Sequence, residues 1–297
     1  MTQETTNKFA ERSVFPARAL ARRSLAEKVA TAESAVSSSA ADQWDSPPMA
    51  FMWYHGRRLV DSLSLTRGQC VMDLYCGTGA VSIPAAQQVG REGRVLGIDG
   101  GARLIARARA RASWLALPQA QFQVGDFEST TLPMDGFDAV SCAFGLAQAP
   151  DPVAAVRMMW SQVRPGGDFG IAMFAHGLFG PAGDLFMRSL SQEHPDVAVA
   201  CQRLGTFGTE ETLTGLLQAC GVNSFRTSRE PYEQALRTPE DWWSIISSSL
   251  YRNVLDAVDA DTLSRIRSGQ IRGIEEAQIH SVRTDALFAI ARKPATR

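Results

Sequence analysis

The segment Asp73-Leu-Tyr-Cys-Gly-Thr-Gly79 sets a carboxylate beside two closely spaced glycines, a pattern suited to holding a small charged molecule against bare backbone. It closes one apolar run, CVMDLY, and opens a helical segment. A second carboxylate, Asp99, ends the next apolar run, RVLGID, 20 residues beyond Gly79, where it can accept both hydroxyls of a ribose. The third run ends in Val124-Gly125-Asp126-Phe127, which offers an acceptor for an exocyclic adenine amine and a ring to pack on the purine. A fourth element, Val163-Arg164-Pro165-Gly166-Gly167, reads as a turn leading into the fifth strand.

Read as Gly77-x-Gly79-x-x-Ser82, the first segment is also a degraded dinucleotide fingerprint. Asp73 separates the two readings. A diphosphate docks on the amides and positive dipole of a helix N-terminus, and a carboxylate in the same turn repels it. A ligand with an ammonium group, such as the methionine moiety of S-adenosylmethionine, is attracted instead, directly or through water.

Together these residues resemble the class I S-adenosylmethionine-dependent methyltransferases, in particular the ubiquinone/menaquinone-biosynthesis branch and related small-molecule methyltransferases of natural-product pathways. The resemblance covers residues 50 to 175. It implies an α/β, Rossmann-like fold whose mostly parallel seven-stranded sheet ends in an antiparallel strand, with S-adenosyl-L-methionine as donor and S-adenosyl-L-homocysteine as product. It assigns the glycine motif to Asp73, Tyr75, Cys76, Gly77, Thr78 and Gly79, the ribose acid to Asp99 beside Gly100, and the adenine acid to Asp126 between Gly125 and Phe127. Ala143-Phe144-Gly145-Leu146 would face cofactor and substrate. One departure stands out: the family usually has glycine where this chain has Tyr75, so that side chain must point away from the ligand or alter its seat. The wording DLYCGTG is also similar to uracil-C5 RNA methyltransferases, which place it late in the chain with a nucleophilic Cys following; this sequence does neither.

Methyl transfer from a sulfonium is an in-line displacement with a neutral leaving group, so orientation carries most of the catalysis, about 7–11 kcal/mol when reactants are well held. A general base adds a further factor of about 10² to 10⁴ for a hydroxyl or activated carbon. His176, after the fifth strand, is the favoured base; His55 is the second candidate, and Tyr54 could orient an acceptor oxygen. Trp53, Phe144, Leu146, Phe179, Trp242 and Trp243 would line a partly apolar acceptor site, although the paired tryptophans fit a core equally well. Whether oxygen, nitrogen or carbon is methylated does not follow from these residues.

The elements that must position this chemistry follow from pattern. Short apolar runs alternating with helical segments from residue 70 onward indicate a parallel sheet covered on both faces. DALFAIA (285–291) reads as a terminal strand pairing antiparallel with 222–227. Helices are expected over 16–36 and from the aromatic-rich start at Met49, which divides the chain into a helical leader or lid (1–66) and a core (67–297) with helical cap insertions near 178–206 and 229–275. Pro84 calls for a late start or a bend in the first core helix. Asp151-Pro152 and Thr238-Pro239 read as capping side chains before a first-turn proline. The arginine-rich run 102–114 reads as a solvated amphipathic face.

The composition narrows the remaining classes. Thirty basic against 31 acidic side chains leave a net charge of −1, which argues against a nucleic-acid or membrane-surface partner. Five Cys without a CxxC pair and four His without HExxH spacing argue for reduced thiols and no metal site. Neither an apolar span nor a secretory h-region is present, so a cytoplasmic enzyme acting on a small molecule is expected, with a homodimer through the leader open. A protein that binds S-adenosylmethionine without methylating, such as a cyclase, remains an alternative, and a nicotinamide oxidoreductase is a weaker one.

Overall fold

The computed structural model describes residues 45–125, 136–193, 195, 198, 208–249, 251–255 and 258–295. The helix expected over 16–36 lies outside them. A 3-10 turn (Pro47–Met49) leads into α1 (Ala50–Ser62), and the sheet then begins with β1 (Cys70–Leu74). There follow α2 (Ser82–Val89), β2 (Arg94–Asp99), α3 (Ala102–Trp114), β3 (Ala120–Val124), β4 (Phe137–Ala143), α4 (Pro152–Gln162) and β5 (Val163–Phe174). The second half comprises α5 (Ala182–Glu193), α6 (Glu210–Ala219), β6 (Phe225–Glu230), β7 (Glu233–Ala235), α7 (Pro239–Ser248), α8 (Arg252–Leu255), α9 (Ala260–Glu276), β8 (Ser281–Arg283) and β9 (Ala286–Arg292).

Seven strands form one sheet in the order β3-β2-β1-β4-β5-β9-β6. The first five are parallel, and β9 pairs antiparallel with both β5 and β6, so the expected terminal pair is present, with β9 inside the sheet and β6 at its edge. This is the Rossmann-like arrangement. Because side chains alternate along a strand, Val71 and Ala139 pack with α1 and α2 while Met72, Leu74, Val140 and Cys142 pack with α4 and α6. Burying each valine, leucine or methionine among these contributes about 1.5–3 kcal/mol.

Local rules hold at α2, which starts at Ser82 and so keeps Pro84 in a first turn whose amides need no intrahelical acceptor. Asp151 caps α4 by accepting from the Ala154 amide at 2.9 Å. At α7 the expected cap differs: Thr238 makes no side-chain capping bond, and Asp241 reaches back to the Arg237 amide at 2.9 Å. The Arg164–Gly167 segment is a second correction. It lies within β5 as an excursion at the amino end of the strand, where the register with β4 jumps from Phe137↔Val163 to Ala139↔Asp168. Gly166 has φ 78°, and Arg164 pairs with Asp138 at the start of β4, at the opposite end of the sheet from the glycine motif.

The second half adds a helical layer to the α1 face. Trp242 of α7 is fully buried and donates to Gln270 of α9 at 3.1 Å, and Gln270 donates in turn to Ser189 of α5 at 2.9 Å. One glutamine thereby ties three helices. The β7–β8 ribbon, which the sequence pattern did not show, fastens this layer to α1 through the Gln234 side chain, which accepts from the Phe51 amide at 3.3 Å.

Candidate functional site

The carboxyl ends of β1, β2, β3 and β4 bring together Asp73, Tyr75 to Gly79, Asp99 to Gly101, Gly125, Ala143 and Phe144. Asp126 and Phe127 lie outside the described residues. Asp73 is 1% exposed; its two oxygens accept from Ser82 Oγ, in the first turn of α2, at 2.5 Å and from Ser141 Oγ of β4 at 3.0 Å. Burial pushes this carboxyl up to about 7, against the two serine hydrogen bonds that favour its charged form. Asp99 is half-buried and accepts from the Gly77 amide at 2.9 Å and the Gly101 amide at 2.7 Å, and burial raises it too. Gly100 is exposed in the turn. The Gly125 amide donates to the Asp99 carbonyl at 3.1 Å, closing the seam between β2 and β3.

The glycine motif takes left-handed backbone at Gly77 (φ 55°), at Gly79 (φ 94°) and at Tyr75 (φ 55°). A β-carbon at Gly79 would lie 2.9 Å from Ile83. Tyr75 bears a side chain in a conformation that favours glycine, and its neighbour makes the room. Gly145, just past β4, lies so close that a β-carbon there would fall 2.0 Å from the Tyr75 Cβ. The ring packs with the α4-side core, so the departure from the family pattern is absorbed away from the loop's open edge. Cys76 and Cys142 are buried, and burial raises both thiols, Cys142 to about 12; neither is a nucleophile.

α1 covers this loop. A β-carbon at Gly56 would stand 2.3 Å from the Ala80 carbonyl oxygen, so the helix rests on the turn after the glycine motif. Asp45, which the sequence pattern did not single out, sits at the seam. It accepts from Thr78 Oγ1 at 3.0 Å, Trp53 Nε1 at 3.3 Å, Arg107 Nε at 3.1 Å and Arg111 Nη1 at 3.0 Å. Arg111 also lies 4.1 Å over the Trp53 ring. Arg107 and Arg111 of α3, expected to face solvent, are thus half-buried partners of the leader, whereas Arg103 and Arg109 are exposed; Trp53 belongs to this seam.

His55, Tyr54, Phe144, Phe179 and Trp242 join an aromatic cluster at the carboxyl edge of β4 and β5. His55 is 0% exposed, and its Nε2 lies 2.6 Å from the Thr284 carbonyl oxygen. A carbonyl only accepts, so Nε2 carries the proton and Nδ1 presents a lone pair, which has no partner. Burial pulls the imidazole below its usual range. Phe144, Tyr232 and Phe288 meet its ring edge-on at 5.8, 5.8 and 6.2 Å. Phe144 (φ 63°) stacks on Phe174 at 4.0 Å, and Phe179 is buried between Phe51 and Trp242. Tyr54 donates to Glu230 at 3.0 Å, a bond that raises its hydroxyl. His176 is exposed in the turn after β5, Leu146 is in the α4-side core, and Trp243 is half-buried behind Trp242. Among the described residues no His/Cys/Asp/Glu cluster could hold a metal ion, and no helix is long and apolar enough to cross a membrane.

Comparison with known proteins agrees with this fold. The chain is 36% identical over 117 residues to a 2-phytyl-1,4-naphtoquinone methyltransferase of Thermosynechococcus vestitus, covering 39% of this chain and 51% of that protein. It is 27% identical over 208 residues to a nocamycin O-methyltransferase of Saccharothrix syringae, covering 66% and 73%. The alignment thus spans about half the length of the first relative. The crystal structure of the YcgJ protein of Bacillus subtilis superposes with a TM-score of 0.55 at 17% identity, covering 82% of this chain and 100% of that one, a likeness of fold. A family model described as a methyltransferase domain matches residues 65–215, just over half of the chain. A glycine loop with buried acids at the carboxyl edge of a β3-β2-β1-β4-β5-β9-β6 sheet, together with that match, makes this chain a member of the methyltransferase domain family.

Proposed function

We propose that the protein transfers a methyl group from S-adenosylmethionine to a small, partly apolar acceptor of the quinone or natural-product kind. The observation that carries this reading is the Asp73 carboxylate, sunk beneath the glycine loop and held by Ser82 and Ser141. With Asp99, at the end of the neighbouring strand, it places two acids at the edge of the glycine loop, which disfavours a diphosphate and suits a ligand with an ammonium group and a ribose diol. The residues present therefore fit S-adenosylmethionine, whose sulfonium supplies an electrophilic methyl when bound. Asp73 would stabilise the ammonium, directly or through water; Asp99 would take the ribose hydroxyls; Gly77 and Gly79 would admit the ligand close to backbone; Gly125 with Asp126 and Phe127 would face the adenine. Ala143 and Phe144 would separate this seat from the acceptor.

The relatives named above act on a phytylated naphthoquinone and on nocamycin, and the aromatic cluster beside Phe144 supports an acceptor of similar apolar character here. α1 and the α5–α7–α9 layer would serve as lid and cap over it. Titration calorimetry with S-adenosylmethionine, S-adenosylhomocysteine and NAD tests the seat: micromolar or tighter binding of the first two supports the reading, and binding of NAD alone overturns it. Label transfer from methyl-labelled donor to candidate acceptors then tests the reaction.

A further inference from the structure

Among the described residues, the buried side-chain atoms without a hydrogen bond are His55 Nδ1, Gln119 Oε1 and Asp138 Oδ1. Gln119 still donates through its amide nitrogen to Ala86, and Asp138 is paired with Arg164 at the amino end of the sheet. His55 differs from both in position and chemistry. It lies at the carboxyl edge of the sheet, against Phe144 at the end of β4, with Nε2–H committed to the Thr284 carbonyl. The two nitrogens of an imidazole point away from each other, so this bond orients Nδ1 away from Thr284 as an acceptor. Leaving a buried acceptor unmet costs about 1–3 kcal/mol. The surrounding rings of Phe144, Phe288, Tyr54 and Tyr232 form an apolar wall about it.

We propose that His55 Nδ1 is the general base of the reaction and that the acceptor is an acidic hydroxyl, a phenol or an enol. This rests on the methyl-transfer reading above. The acceptor's O–H hydrogen-bonds to Nδ1; as the oxygen forms its bond to the sulfonium methyl, the S–CH3 bond breaks with its electron pair passing to sulfur, and the hydroxyl proton passes to Nδ1. The imidazolium that results keeps its Nε2–H on Thr284 and later loses the Nδ1 proton to solvent.

The environment of the ring favours an acidic hydroxyl. Burial makes His55 a weaker base than usual, offset in part by the Thr284 carbonyl and by Glu230 and Asp285. Those two acids, from β6 and the β8–β9 link, are themselves engaged by Arg58 and Tyr54 and by Arg229. Among the described residues, Tyr54 of α1 and Tyr232 ahead of β7 are the other titratable side chains whose rings meet it. A weakened base removes the proton of a phenol or enol more readily than that of an aliphatic alcohol.

His55→Gln is the informative variant, because its Nε2 amide can replace the donor to Thr284 while nothing replaces Nδ1. Donor-loaded protein is assayed with labelled methyl donor against a panel of phenols, β-dicarbonyl enols, primary alcohols and amines. The expected result is transfer to phenols or enols, a kcat lowered about 10²- to 10⁴-fold by H55Q with acceptor KM and S-adenosylhomocysteine affinity within threefold, and loss of the acid limb that wild-type kcat shows below pH 6.5. Transfer confined to alcohols or amines, an H55Q kcat within twofold of wild type, a retained acid limb, or no transfer by the donor-loaded protein overturns the assignment. Failure to bind S-adenosylhomocysteine at all defeats the glycine-loop reading instead, so the two failures are distinguishable. Far-UV circular dichroism of H55Q matching wild type, together with its retained donor affinity, separates a lost base from a lost fold.

Discussion

The glycine-loop side and the aromatic side of the carboxyl edge solve the same problem, burying polar groups, in opposite ways. Around the loop the buried acceptors named above are met: Asp73 by two serines, Asp99 by two amides, Asp45 by four donors. On the aromatic side one imidazole lone pair is left over among rings. On the loop side these acids all have donors, while in the aromatic cluster the Nδ1 of His55 has no hydrogen bond.

The largest effect that separates the two regions is expected from Trp242→Ala, which removes a fully buried indole and its bond to Gln270. Urea unfolding should show a loss of about 3–5 kcal/mol, while donor affinity of the remaining folded protein stays within threefold. A parallel loss of donor binding would mean that the two regions are one energetic unit. Asp73→Asn reverses the pattern, weakening donor binding about 10- to 100-fold for the loss of a charged hydrogen bond worth about 1.5–3 kcal/mol. Calorimetry checks it.

Acidity sharpens the contrast further, because the two groups carry opposite signs. Asp73, raised to about 7 from 3.8, binds its proton more tightly in the folded chain, so its contribution to stability falls as pH rises from about 4 to 7. His55 is shifted down, so its contribution is complete above about 6.5 and falls as pH drops through that value toward its folded-state value. Unfolding at pH 5 and pH 8 should therefore show D73N gaining on wild type at the higher pH and H55Q gaining at the lower, with slopes up to about 1.4 kcal/mol per pH unit.

Gly145→Ala should cost about 1–3 kcal/mol by crowding Tyr75, and the added change Tyr75→Gly should restore most of it in a double-mutant cycle. Additive effects would show that the glycine and the tyrosine are not one adjustment. Asp45→Asn is expected to have the smallest effect, about 1 kcal/mol, because both arginines are partly solvated; a thermal melt checks it.

What could be read in the sequence follows the same divide. The strands, the late start of α2, Asp73, Asp99 and the glycines were legible because each is specified within a few residues of chain. Ser82 was visible only as an imperfect third glycine. Ser141 meets Asp73 through the register of two strands 68 residues apart, and Thr284 meets His55 across 229; neither spacing leaves a local mark. Arg107 and Arg111 have the helical period of a solvated face, and period alone carries no trace of Asp45, 62 and 66 residues earlier. The Pro-Gly-Gly sequence announced a turn leading into the fifth strand but not that the strand already begins at Val163, ahead of it.

The strand made from Ala286–Arg292 has a consequence for how the molecule is assembled during synthesis. It lies between two strands completed 50 or more residues earlier, so until it emerges β6 is without a neighbour and β5 has a bare edge. A nascent chain waiting in that condition offers two open backbone ladders to other chains, and a truncation that removes this strand would be expected to aggregate even though the glycine loop and its acids are all present.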